Sequence, residues 1–131
     1  MIGLDTNILV RYFAQDDPAQ SRKANALIES SLSEENLAFI SVVVMVELVW
    51  VLGRLYDVTP HDLSVIIERM LQSDVFVIEH EQLVFAAMID LKEGRGSFSD
   101  ALIAKLAAKA GCPETLTFDR KASRLPGFML F

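Results

Sequence analysis

Ile2-Gly3-Leu4-Asp5-Thr6-Asn7-Ile8-Leu9 is the stretch on which the fold turns. Apolar and small residues run into an acid, a hydroxyl and an amide, and a helical pattern begins at once. Such a stretch reads as a short buried strand that delivers Asp5 to the edge of a sheet, with Thr6 or Asn7 capping the next helix. Three further acids, Glu47, Asp100 and Asp119, stand in comparable places along the chain.

Outward from there, helices and strands alternate. A short helix runs from Ile8 to about Ala14, and Pro18, after Asp16 and Asp17, suits the first position of a second. Ala24, Leu27, Ile28 and Leu32 form that helix's apolar stripe. Leu37 to Ile40 reads as a buried strand and Ser41 as the cap of a helix from Val42 to Leu55. Periodicity leaves that run ambiguous; its length and the placement of Glu47 favour a buried helix. Thr59-Pro60-His61-Asp62 has capping-box spacing, and Val75 to Ile78 has the unbroken apolar run of a central parallel strand. A helix from Glu81 to Lys92, a loop at Gly94-Arg95-Gly96 and a helix opened by Ser97 and ended by Gly111 follow. Thr115 to Thr117 and Phe128 to Phe131 close the chain as strands. The alternation predicts an α/β sandwich on a mostly parallel sheet.

With 131 residues the chain is long enough for one domain with a real core. A hydrophobic fraction of 52% and a mean hydropathy of +0.35 exclude disorder. A single cysteine, Cys112, allows no internal disulfide; it reads as a buried free thiol in a reducing, cytoplasmic setting. No basic region followed by a long apolar run marks a signal peptide. Ala38 to Gly53 carries only Glu47 as a charge, but the run is shorter than the roughly 20 residues of a membrane span. The net charge of −6 argues against non-specific nucleic-acid binding over the whole surface, while leaving room for a local basic rim.

Parallel α/β sheets place ligand sites outside the carboxyl ends of their strands. Asp5 and Asp119 each follow a predicted strand, and Asp100 lies in the first turn of a helix entered from a loop. Each has a structural alternative: Asp5 as a helix cap, Asp100 in a capping box with Ser97, Asp119 as a turn cap. Glu47 has the poorest alternative, because Val43, Val44, Trp50 and Val51 surround it at helical spacing and a buried carboxylate needs a partner or a metal. Acids clustered without balancing cations are the usual mark of a cation site. All-oxygen ligation suits Mg²⁺ or Mn²⁺, which activates water and steadies charge on a phosphodiester. His61 and His80 lack ligand spacing, Gly94-x-Gly96 is too short for a dinucleotide fingerprint, and no Walker loop is present.

Four segments together resemble the motifs of PIN domains: Leu4-Asp5-Thr6-Asn7-Ile8-Leu9, Val46-Glu47-Leu48, Phe98-Ser99-Asp100-Ala101-Leu102-Ile103-Ala104 and Leu116-Thr117-Phe118-Asp119-Arg120. Their order and spacing match over essentially the whole chain, and the pattern is similar to that of VapC-type toxins. The resemblance implies a PIN-like three-layer α/β/α sandwich over residues 1–131, a single domain with a central, mostly parallel sheet of four to five strands. It implies a metal-dependent endoribonuclease, the toxin of a type II toxin–antitoxin pair, leaving 5′-phosphate and 3′-hydroxyl ends. Asp5 and Asp100 would contact Mg²⁺ (or Mn²⁺), Glu47 and Asp119 would complete the acidic quartet, and Thr6 and Asn7 would support Asp5. RNA is then the substrate and a cognate small antitoxin the partner, with the apolar helices from Val42 to Leu71 offering a surface for it or for a homodimer. Arg11, Arg95, Arg120 and Lys121 lie near the acidic edge and read equally as phosphate contacts or as solvated charges. The alternatives are a PIN fold in RNA processing, one kept only for binding, and a receiver-like Mg²⁺-binding signalling domain. A receiver would need paired acids after the first strand and a lysine ending a late one.

Overall fold

Helix starts organise this chain, and most are built as the sequence signals. The computed structural model describes residues 1–131. Its elements are β1 (Ile2–Gly3), α1 (Thr6–Ala14), α2 (Pro18–Ala26, continued by a π turn over Leu27–Ser31), β2 (Ala38–Ile40), α3 (Val42–Leu55), α4 (Pro60–Gln72), β3 (Phe76–Ile78), α5 (Glu81–Lys92), α6 (Phe98–Lys109), β4 (Thr115–Thr117) and β5 (Phe128–Leu130). The Ser41, Thr59 and Ser97 hydroxyls accept from the backbone N–H three residues on, and Asp17 caps α2 ahead of Pro18 in the same way.

All strand pairs are parallel. The expected central sheet of four to five strands is divided: five strands exist, but as a three-stranded sheet in the order β1-β2-β3 and a separate pair β4-β5. β1 is one free edge of the three-stranded sheet. Ile2 and Leu4 donate their N–H groups to Leu37 and Phe39 of the β2 side, and alternation turns the Gly3 peptide to the other edge. A two-residue strand offers little edge there. Gly3 adds no side chain, and even a Cβ at that position would touch nothing within 4 Å. The central strand is therefore β2, with Ala38 and Ile40 fully buried, whereas the Val75 to Ile78 run supplies an edge strand with Val77 exposed.

One cluster of 23 buried residues forms the core. Val42, Met45, Leu48 and Leu52 line one stripe of α3, and Val84, Ala87, Met88 and Leu91 one stripe of α5. Phe98, Ala101 and Leu102 enter from α6, and Leu125 from the turn after β4. Each of the larger of these side chains contributes roughly 1.5–3 kcal/mol of burial, and each alanine less. Leu125 also closes on the loop before α6: a Cβ at Gly96 would meet its Cδ1 at 2.6 Å. Cys112 is exposed rather than buried, because it follows Gly111, whose φ of +102° turns the chain away after the last apolar position of α6. No helix is long and apolar enough to cross a membrane.

Candidate functional site

Asp5 stands just past β1 in extended conformation and is itself the cap of α1, its Oδ1 accepting from Thr6 N at 2.7 Å. The capping expected of Thr6 or Asn7 is thus supplied one residue earlier. That frees the Thr6 hydroxyl, which is buried and donates to Glu47 Oε1 at 3.1 Å across 41 residues of sequence. Asp5, Thr6, Asn7, Arg11, Glu47 and Tyr56 line one cleft of about 370 Å³.

Glu47 is exposed, not buried. Its apolar neighbours misled because two of them are exposed themselves: Val43 by 67% and Trp50 by 57%. They share the outward stripe of α3, opposite the Met45–Leu48–Leu52 stripe that packs the core.

The other two acids are not among the residues that line this cleft. Asp100 is half-buried in the first turn of α6, where its N–H donates to Ser97 Oγ at 3.1 Å. Asp119 is exposed, and its Oδ1 accepts from Lys121 N at 2.8 Å and Ala122 N at 3.3 Å, opening the short turn that carries Leu125. Nowhere do three or more carboxylate, imidazole or thiol groups gather as a set able to hold a metal ion. Asp5 follows β1, an edge strand of the three-stranded sheet, and Asp119 follows β4 of the separate pair. Two carboxylates with a hydroxyl and an amide nearby are hard oxygen donors of the kind Mg²⁺ takes alongside several waters. The donor chemistry of the cleft fits such an ion; a four-acid coordination set is not assembled in this conformation.

Two charge networks frame the site, and sequence reading missed both. Arg11 Nε donates to Gln20 Oε1 at 2.7 Å, and its Nη1 reaches Asp16 Oδ1 at 3.2 Å and Tyr56 Oη at 3.4 Å. Tyr56 in turn donates to Asp16 Oδ2 at 2.5 Å. That bond holds the Asp16 carboxyl below its ordinary range and pushes the Tyr56 phenol up. No periodic signal links residues 11, 16 and 56; only the fold brings them together. In the second network Asp90, 5% exposed, meets Arg95 Nη1 at 3.1 Å and Lys105 Nζ at 2.9 Å. Lys105 lies against Oδ2 as an ion pair rather than an aligned hydrogen bond. Burial alone would raise the Asp90 carboxyl, but Lys105 and then Arg95 outweigh it and the net shift is downward. A lone acid in Ala86-Ala87-Met88-Ile89-Asp90 was the available signal.

The order of acids along the chain, each past a strand or in a helix beside the sheet edge, is the arrangement of one fold family. Residues 2–127 match the PIN domain, and the chain belongs to the PIN-domain family. Within it, the chain is 26% identical over 122 residues to the VapC ribonuclease of Aquifex aeolicus (strain VF5), spanning 93% of this chain and 90% of that protein.

Proposed function

We propose that this chain is a Mg²⁺- or Mn²⁺-dependent endoribonuclease that acts as the toxin of a type II toxin–antitoxin pair and is held in check by a small cognate antitoxin. One observation carries the reading: Thr6 ties the acid that ends β1 to Glu47 of α3 in a single cleft at the sheet edge of a PIN domain. The ribonuclease named among its relatives supports the substrate class.

A divalent ion bound at this edge supplies positive charge for a phosphodiester and lowers the pKa of water. The chain's own groups do the rest. The cap bond from Thr6 N holds Asp5 Oδ1 and leaves its Oδ2 without a hydrogen bond. Thr6 Oγ1 occupies Glu47 Oε1 and leaves Oε2 open to the cleft. Asn7 adds an amide at the same wall. Asp100 and Asp119 are proposed to complete the acidic set. The exposed apolar side chains Val43 and Trp50 on the outward stripe of α3 support a surface for the antitoxin or for a homodimer, and the cytoplasm is the proposed setting.

The purified chain should cut RNA with Mn²⁺ and stop with EDTA. Asp5→Asn and Glu47→Gln should each remove cleavage while keeping the native circular dichroism spectrum, because an amide is a far poorer ligand for a hard cation. Full cleavage in EDTA ends the metal-dependent reading, and full cleavage in both variants ends the assignment of this cleft as the cutting site. Expression alone should arrest growth and co-expression of the antitoxin restore it; RNA cleavage without arrest would move the chain to RNA processing.

A further inference from the structure

The acid cleft does not end at Arg11. Between α1 and α2 a second hollow of about 350 Å³ is lined by Asn7, Ile8, Arg11, Gln20, Lys23 and Leu27. Asn7 and Arg11 line both hollows, so the two adjoin along that side of α1. We infer that the second hollow holds the RNA phosphate next to the one that is cut, with Arg11 and Lys23 as its cationic contacts. The inference rests on the nuclease reading and adds to it a substrate-binding subsite.

Arg11 is already placed for the task. Gln20, Asp16 and Tyr56 occupy one N–H on Nε and two on Nη1, which fixes the plane of the guanidinium. A guanidinium has five N–H donors, so the two on Nη2 remain open. Asp16 meets Arg11 through a single N–H rather than a fork, and its second oxygen is taken by Tyr56. Lys23 is exposed on α2 and forms no ion pair. No carboxylate lines the α1–α2 hollow; its other polar groups are the neutral amides of Asn7 and Gln20. On a chain of net charge −6, that is an unusual place for a polyanion to be tolerated beside an acidic cleft. Asp5 and Arg11 are six residues apart, about 9 Å along the helix at its standard rise.

The other cations near the acids are less suited. Arg95 is committed to Asp90, and Arg120 and Lys121 sit at the turn after β4 and line neither hollow. An acidic polypeptide could seek the same cations, but a hollow that shares Asn7 and Arg11 with the proposed cutting site favours the strand being cut.

The test is binding of a fluorescein-labelled single-stranded oligoribonucleotide in EDTA, by anisotropy over a range of salt, with cleavage measured separately in Mn²⁺. Each lost phosphate contact on a single strand flattens the log–log salt dependence by about 0.7, so Arg11→Gln with Lys23→Gln should flatten it by about 1.4. A fourfold rise in salt then costs the double variant about sevenfold less affinity than it costs wild type. Lys23→Gln alone, at an exposed position that carries no fold risk, should give half the change in slope, and Arg11→Lys should keep most of the wild-type slope. In Mn²⁺ the double variant should raise KM with little change in kcat, and its thermal stabilisation by Mn²⁺ should equal that of wild type. An unchanged slope in every variant, with wild type still binding and cutting RNA, overturns the subsite and leaves the nuclease reading standing. Unchanged RNA binding together with lost binding of polyglutamate overturns it in favour of a protein-docking groove. Wild type that neither binds nor cuts RNA refutes the nuclease reading itself, before any variant is compared, and the subsite with it.

Discussion

Removing the Asp90 carboxylate tests how the acid-bearing helix is held. Asp90 closes α5, and its partners are Arg95 in the following loop and Lys105 on α6, so one buried group ties two helices and the loop that leads to Asp100. Its backbone carbonyl also accepts from Arg95 N. Asp90→Asn keeps the shape and loses the charge. The stranded cations are not trapped: the Arg95 side chain is 52% exposed and that of Lys105 24%, so both can turn to water. The full penalty of breaking a buried ion pair therefore does not apply, and the loss should be that of a charge-assisted hydrogen bond, about 1.5–3 kcal/mol. An unfolding entropy of about 2.1 cal/mol/K per residue makes 1 kcal/mol worth about 3.6 °C in a chain of this size, so Tm should fall by about 5–11 °C. The pH dependence has a definite sign. The folded Asp90 carboxyl lies below the ordinary aspartate value of 3.8, so its contribution is complete above that value and is lost as pH falls through the folded one. The gap between wild type and Asp90→Asn should thus be full at pH 7 and narrow below about pH 4. Differential scanning calorimetry at both pH values measures it. A variant within about 1 °C of wild type at pH 7 would show the network to be worth no more than an exposed pair.

Three further outcomes follow from the same structure. Gly96→Ala should destabilise by about 1–3 kcal/mol in urea unfolding, because the new Cβ meets Leu125 Cδ1 at 2.6 Å and Cγ at 2.8 Å and must displace a side chain held in the core; an unchanged midpoint would mean that Leu125 repacks freely. Asp100→Asn should cost up to about 1 kcal/mol through the lost interaction with the α6 dipole, since it lies in the first turn of that helix; a more stable variant in EDTA would reveal like-charge repulsion and a closer acid cluster. Saturating Mn²⁺, at about a hundred times its Kd, should raise the wild-type Tm by about 10 °C through roughly 2.7 kcal/mol of linkage, and Asp5→Asn should show much less of this rise; equal responses would remove Asp5 from the ligand set.

Local rules carried far here because they concern neighbours in sequence. The caps at Asp17, Ser41, Thr59 and Ser97 and the stop at Gly111 are matters of three or four residues, and each forms where the pattern places it. Strand pairing is not local: β1 is too short and too bare at Gly3 to reveal which partner it lacks, so the sheet's division was illegible. Glu47 shows the same limit. Period-3.6 spacing identifies its neighbours correctly, but only the fold determines that Val43 and Trp50 face outward. The tie between Thr6 and Glu47 and the Arg11–Asp16–Tyr56 network join distant segments, which no pattern in one chain announces.

The bare margins of β1 and β4 also leave a kinetic signature. Along β1 the amides of Ile2 and Leu4 are locked onto β2 while that of Gly3 looks outward; along β4 Thr115 is bonded to Gly127 while Leu116 looks outward. Deuterium uptake should therefore alternate residue by residue along both strands, fast at Gly3 and Leu116 and slow beside them. In β2, flanked on both sides, it should be uniformly slow. This comb of fast and slow amides would mark, in solution, a free edge of each of the two sheets.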